Sequence, residues 1–210
     1  MTVRHPPGRA GRTWLRGRLE TAQRGMQLMQ RRHDLLRREE RRLATLESMT
    51  RAEWDQRCRT AERWMARALV LGGREALTRG NVERTTVATV RWQSSMGVTS
   101  PGEVVTEPGP APELTGPAAL GPAADGYRDA IDAAVQHAAS AAALIQVRAE
   151  LESTGRRLRA IRDRLVPRLE EALRTLELQL DEIEREEILR ARWARDERGD
   201  GRGAAREGGG

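Results

Sequence analysis

From Arg12 to Leu71 the chain contains no proline, and its only interior glycines are Gly17 and Gly25. That leaves room for one helix of roughly 60 residues, about 90 Å long at about 1.5 Å per residue. Leu15, Leu19, Ala22, Met26, Met29, His33 and Leu36 recur along it in alternating steps of four and three, with Leu43 one heptad further on. Such a repeat marks the seam of a coiled coil. Past Leu43 the phase loosens through Leu46, Met49 and Trp54. A stripe this narrow cannot hold so long a helix in water unaided, so it needs a partner.

The other end of the chain supplies one. Helical character returns at Tyr127 and lasts to about Arg198. Within it Leu158, Ile161, Leu165, Leu169, Ala172, Leu176, Leu180 and Ile183 form a seam in which Leu158, Leu169 and Leu180 stand eleven apart. Heptads drive left-handed supercoiling and eleven-residue repeats right-handed, so pairing the two predicts a nearly straight coil. The intervening segment lets the chain turn back, which makes the pair antiparallel. Facing positions are expected to sum to roughly 205, with Leu36 near Leu169 and Leu15 near Arg190, a register estimated from the turn-back geometry. Pro167 lies inside the second seam and lacks the N–H that would bond the carbonyl of Asp163, so a bend or an opened turn is expected there.

The predicted fold is therefore dominated by α-helix: a long antiparallel two-helix coiled coil built from the N- and C-terminal segments, with a small middle region. The segments divide as a loose arm over 1–11, the first coil helix over 12–71, a middle region over 72–126, the second coil helix over 127–198 and a disordered tail over 199–210. In the middle, Gly72-Gly73 and Gly80-Asn81 read as turns. Thr85–Trp92 is β-prone, and with Met96–Thr99 it predicts a hairpin within 82–105, turning around Gln93–Ser95. The stretch EPGPAPELTGPAALGPAADG that follows reads as a mobile loop.

Composition agrees with paired helices and excludes several chemistries. The chain is 38% hydrophobic, 32% charged and only 3% aromatic, with no Phe, too little for a compact globular core. All 37 of its basic residues are Arg. Without Lys there can be no P-loop reaching a terminal phosphate and no Schiff-base cofactor. The net charge is +6, and residues 1–67 carry the excess, with 17 Arg against 8 acids. Cys58 stands alone, which suits a reducing cytoplasm. No apolar run approaches the ~18 residues of a membrane span, and the start MTVRHPPGRAGR has no signal-peptide character.

No residue type at catalytic or metal-ligand spacing emerges. His33 falls on the first seam without a second ligand on its face and reads as packing, while His5 and His137 stand far apart. Cys58 reads as a small packing residue. The carboxylates Asp181, Glu182, Glu184, Glu186 and Glu187 surround Arg185 around most of a helix circumference and read as a solvated face. The run Arg37–Arg42 offers i,i+3 and i,i+4 ion pairs worth a few tenths of a kcal/mol each, about 0.2–0.5. No catalytic residue, cofactor or metal is expected.

Three stretches, in order, resemble the D subunit of V-type and archaeal-type rotary ATPases. The first is RGRLETAQRGMQLMQRRHDLLRREERRL, similar to that family's opening Arg/Leu-rich helix. The second is MGVTSP after the β-like TTVATVRW. The third is STGRRLRAIRDRLVPRLEEALRTLELQLDEIEREEILRARW, which carries the family's signature at Val166-Pro167-Arg168-Leu169-Glu170 and again from Leu180 to Glu187. It departs at Arg159, where the family has Asn, and at Ile188-Leu189, where aromatics are common, before Trp193. The resemblance implies a non-catalytic central rotor axle. Its terminal helices would sit in a ring of alternating A and B subunits, and its middle would lie beside the F subunit and the adaptor on the membrane ring. The complex is then peripheral to the membrane on the cytoplasmic side. The two apolar repeats place the coil seam at Leu15, Leu19, Met26, Met29, Leu36, Leu158, Ile161, Leu165, Leu169, Leu176, Leu180 and Ile183. Trp92, Met96, Arg168 and Arg185 are the candidate partner contacts.

Two other readings suit a basic coiled coil: nucleic-acid binding through the positive first helix, and a scaffold in which seams pair between chains. The interleaved acids and the lack of an aromatic platform or groove-reading motif count against the first.

Overall fold

The computed structural model describes residues 3–80, 86–109 and 116–207, with the backbone alone at 76, 77, 79, 80, 194 and 196–207. The first helix, α1, spans Gly8–Gly80, and Gly73 interrupts it with φ 61° and ψ −174°. That backbone is open to glycine and costly for other residues, so α1 breaks at the expected Gly72-Gly73 punctuation and then resumes to Gly80. A hairpin follows, β1 (Val87–Ser95) and β2 (Val98–Glu107), paired antiparallel. The chain returns through α2 (Leu120–Ala160), one π-helical turn over Ile161–Leu165, and α3 (Val166–Glu207).

The element ends depart from the sequence expectation in three places. Helix α1 starts at Gly8, inside the segment expected to be a loose arm, and Val3 packs against a buried cluster. A Cβ at Gly11 would run into the Pro6 carbonyl and lie 3.1 Å from Leu176, so only glycine lets residues 3–7 fold over the helix start. Helix α2 opens at Leu120, seven residues before Tyr127. Pro122 falls in its first turn, where the missing N–H has no helical partner to lose. Helix α3 continues to Glu207, past the point where a disordered tail was expected. Asn81, 82–85 of the expected hairpin segment, 110–115 of the Pro/Ala/Gly-rich stretch, and 208–210 lie outside the described residues.

The chain forms two compact units, one from the residues up to Gln30 with those from Arg156 on, the other from Arg31–Gly155. In the first, Leu15 packs with Leu169, Leu176 and Leu180, bordered by Leu19, Ala22, Ala172 and Leu173. Arg9 pairs with Glu184 at 3.0 Å and Arg16 with Glu177 at 2.6 Å, so the two segments run antiparallel, Leu15 facing the region of Leu176 and not Arg190.

In the second unit Leu36 and Leu43 join Val98, Ala143, Leu144 and Val147, and Ala68 joins Ala119 and Leu120. Leu36 therefore faces α2 near Val147, whereas Leu169 belongs with Leu15. The expected register was too long by several turns. It assumed that one constant offset joined the two helices, and the pairing Arg148–Glu40 shows a shorter offset than Arg16–Glu177.

Pro167 produces the opened turn that its missing N–H requires. The Val166 N–H bonds back to the Ile161 carbonyl, five residues earlier, and the helix then continues through the proline. An extra residue in one turn is a common relief where the regular ladder cannot close.

Candidate functional site: helix seam, hairpin and exposed faces

The seam of the second unit is built largely from small and polar residues. On α1 it runs on from Leu43 through Glu47, Thr50, Trp54, Ala61 and Ala68, still in heptad phase, while Leu46 and Met49 are exposed. On α2 it runs through Ala123, Ala130, His137, Ser140, Leu144, Val147, Leu151 and Thr154. The apparent loosening past Leu43 came from following leucines outward; the phase itself holds. Small side chains let the backbones approach closely: a Cβ at Gly126 would lie 3.1 Å from the Ala61 Cα.

Several polar groups in this seam find partners across it. The hydroxyls of Thr50 and Ser140 meet at 2.9 Å, and the Trp54 and His137 rings stack with centroids 5.5 Å apart. Arg32 donates to Glu150 at 2.8 Å, Arg148 to Glu40 at 2.9 Å and Arg57 to Asp129 at 3.0 Å. These contacts fix rotation and sliding of one helix against the other, because each needs a specific pair of positions.

Of the expected seam residues, Leu15, Leu36, Leu158, Leu169, Leu176 and Leu180 are buried. Leu19, Met26, Met29 and Ile161 are half-buried. Leu165 and Ile183 are 43% and 51% exposed. Leu165 sits in the π turn, which shifts the phase, and Ile183 sits beside Glu184, whose partner Arg9 is at the very start of α1.

The hairpin turns at Met96-Gly97, not at Gln93–Ser95. Ser95 pairs with Val98, and the two residues between them both have positive φ, 54° and 76°. That is the two-residue turn whose twist matches paired strands, and Gly97 occupies the position that glycine fills most readily. Strand β2 lies against the helices, with Val98, Ser100, Pro101 and Val104 buried. Gln136 donates to the Val104 carbonyl at 2.9 Å and the Thr106 hydroxyl bonds Asp132. Strand β1 is exposed along its whole length. Of the two expected anchors, Trp92 stands 63% exposed, but Met96 packs inward on the Leu36–Val147 cluster. Arg168 is exposed, and Arg185 is exposed with Glu182 at 3.6 Å.

Two apolar surfaces escaped the sequence reading. Trp64, Arg67, Val70, Leu71, Ala119 and Pro122 line an open groove, with Val70 87% exposed and the Arg67 guanidinium 4.5 Å over the Trp64 ring. On α3, Leu178, Leu189 and Trp193 are exposed, and at about 100° per residue they fall on one side, away from Leu169, Leu176 and Leu180. Runs of exposed leucine and valine beside Gly72-Gly73 were the available signal for the groove.

Much of the arginine is locally neutralised. Beyond the cross-helix pairs, Arg24 bonds Glu20, Arg42 donates to Glu39 through both Nε and Nη2, and Arg162 bonds Asp163. The hydrogen bond from Arg42 holds the Glu39 carboxyl below its usual range, and Arg162 does the same for Asp163.

Comparison of the sequence with known proteins points to a family. A family model described as the D subunit of ATP synthase matches residues 13–196. The chain is 31% identical over 194 residues to a protein of Methanopyrus kandleri named as the D subunit of an A-type ATP synthase, covering 87% of this chain and 82% of that one. It is 25% identical over 185 residues to a protein of the same name from Methanoregula boonei, covering 84% and 88%.

Proposed function

The chain belongs to the family of ATP synthase D subunits, and from that premise we propose that it is the central rotor axle of a rotary ATPase. It couples ATP hydrolysis or synthesis in a ring of A and B subunits to ion movement through a membrane ring, without breaking bonds itself. The observation that carries this reading is the antiparallel pairing of the chain's two ends along seams pinned by cross-helix contacts, from Arg9–Glu184 in one unit to Arg57–Asp129 in the other. Torque transmission requires that the two helices not slide or twist past each other. Such contacts resist both.

The surfaces fit the parts of an axle. Mixed, ion-paired charge around α1 and α3 suits a shaft that turns inside a sleeve without a preferred stop, since solvated pairs offer little directional grip. The side of α3 bearing Leu178, Leu189 and Trp193 is the proposed contact with the A/B ring. The groove at Trp64–Leu71 and the hairpin serve the F subunit and the membrane-ring adaptor, with Trp92 the exposed aromatic. No helix among the described residues is long and apolar enough to cross a membrane. An asymmetric rod in a ring of three equivalent sites holds the three in different environments, and its rotation orders their states. The ion pairs that α1 makes with acids leave less free positive charge for phosphates, which disfavours a nucleic-acid role.

Reconstitution tests the reading. One copy of the chain is expected to enter an A/B ring and to be required for rotation of a probe attached at the hairpin. A chain that hydrolyses ATP alone, or that never associates with the ring, overturns it.

A further inference from the structure

The hairpin has one protected edge and one open edge. The outer edge of β2 is covered: the Val104 carbonyl accepts from Gln136, Pro101 has no N–H to offer, and Val98, Ser100 and Val104 are buried. Strand β1 has no partner beyond β2 in the two-stranded sheet of the described residues. Its nine residues, VATVRWQSS, contain no proline and one charge, Arg91. Exposed strand edges are normally blunted by prolines, charges or bulges. Here the irregularity between Val90 and Trp92 puts the additional residue on β2, leaving β1 regular.

The direction of the free groups follows from the pairing. Ser95 and Val98 close the turn, so the Ser95 backbone points into the hairpin. Alternation along the strand then turns the N–H and C=O groups of Ser94, Trp92, Val90 and Ala88 outward. The outward carbonyl of Val104, which is opposite Val90, agrees.

We propose that this edge is a strand-addition site, occupied in the assembled complex by an extended segment of a second polypeptide that carries a carboxylate opposite Arg91. Backbone hydrogen bonds supply the affinity of such additions, and side chains at alternate positions the selectivity. Val87, Val90 and Trp92, all exposed, supply apolar contact to β-branched residues of the incoming strand. Charge decides against a second copy of this chain. Full-length antiparallel pairing of β1 with itself centres on Arg91 and sets two guanidinium groups opposite each other, which is destabilising. An acidic residue there instead joins the exposed pair Arg91–Glu103, 3.1 Å apart, and uses the remaining donors of the guanidinium.

The inference rests on the rotor reading, and its test separates the two. Amide hydrogen exchange is measured on the isolated chain and on the intact ATPase, alongside assembly of Val90→Pro and Val90→Thr chains. Proline at Val90 removes an outward N–H that the hairpin does not use, so β1–β2 pairing survives, as the inward amides of Thr89 and Gln93 will report. The expected result is exchange at Ala88, Val90, Trp92 and Ser94 slowed by about tenfold or more on assembly. Val90→Pro then binds about tenfold more weakly than wild type, while Val90→Thr does not. Wild-type chain that assembles with these amides unprotected, or Val90→Pro that assembles normally, overturns the strand addition alone. Protection already present in the isolated chain and lost on dilution identifies a second copy as the occupant and overturns it too. A wild-type chain that never enters the ATPase overturns the rotor reading and this inference with it.

Discussion

Arg32 on α1 donates to Glu150 on α2 at 2.8 Å, and the same guanidinium lies 3.5 Å from where a Cβ on Gly97 would stand. One half-buried ion pair therefore joins both helices and underlies the hairpin turn. Side chains of the pair are 31% and 27% exposed, so water screens it only partly. Glu150→Ala is expected to destabilise the fold by about 1–3 kcal/mol, because it strands a half-buried guanidinium whose Nε already lacks a partner. Chemical denaturation of Glu150→Ala, Arg32→Ala and the double variant measures the coupling; additive effects would show that the pair contributes nothing.

Packing at Gly126 gives a second test. Gly126→Val places branched carbon against the Ala61 backbone, and we expect a loss of about 1–3 kcal/mol through forced helix separation. Gly17→Ala, on open surface of α1, should be neutral or slightly stabilising, by up to about 1 kcal/mol. Thermal melts of both variants check the contrast.

The hairpin turn supplies a third. Gly97→Val should cost about 1–3 kcal/mol locally, since φ of 76° is strained for a β-branched residue. Loss of amide protection in β1 and β2, with α1 unchanged, is the expected signature.

Register is tested by cross-linking in a Cys58→Ser background. Leu36→Cys paired in turn with Ala143→Cys, Leu144→Cys and Val147→Cys should give at least one intramolecular disulfide, and Leu36→Cys with Leu169→Cys none. Failure of all three near pairs rejects the register.

Acid should weaken one surface contact in a defined direction. Arg42 lowers the Glu39 pKa from its ordinary 4.5, so the pair's contribution is complete above that value and is lost as the pH falls through the lower folded-state value. Because the Arg42 end of this i,i+3 pair is 57% exposed and open to solvent screening, Glu39→Gln should cost only about 0.2–0.5 kcal/mol at neutral pH and nothing in strong acid. Denaturation of both chains across that range measures it.

The helices, their antiparallel return and the opened turn before Pro167 were all legible in the sequence. Each depends on local covalent facts: proline's missing N–H, glycine's freedom at Gly73, and a repeat of large apolar residues. What escaped was the seam from Glu47 to Ala68 and from Ala123 to Thr154, where Ala, Thr, Ser, His and Glu hold most of the positions and large apolar residues only a few, among them Trp54, Leu144 and Val147. Hydrophobicity does not flag such positions; close backbone approach and cross-helix hydrogen bonds make them a seam, and both require the partner to be in place. The register failed for the same reason. The turn residues of the hairpin were misplaced because Met96 is unusual at positive φ, so only Gly97 signalled the turn. Among the candidate contacts, exposure separates Trp92 from Met96, and nothing in the spacing could have done so.

The π turn at Ile161–Leu165 is a phase corrector. Each residue of a helix advances its side chains by about 100°, so one residue more in a turn re-aims everything downstream. Removing a single residue between Ile161 and Leu165 would swing Leu169, Leu176 and Leu180 about a quarter-circle away from Leu15 and leave the end of the chain with nothing to grip.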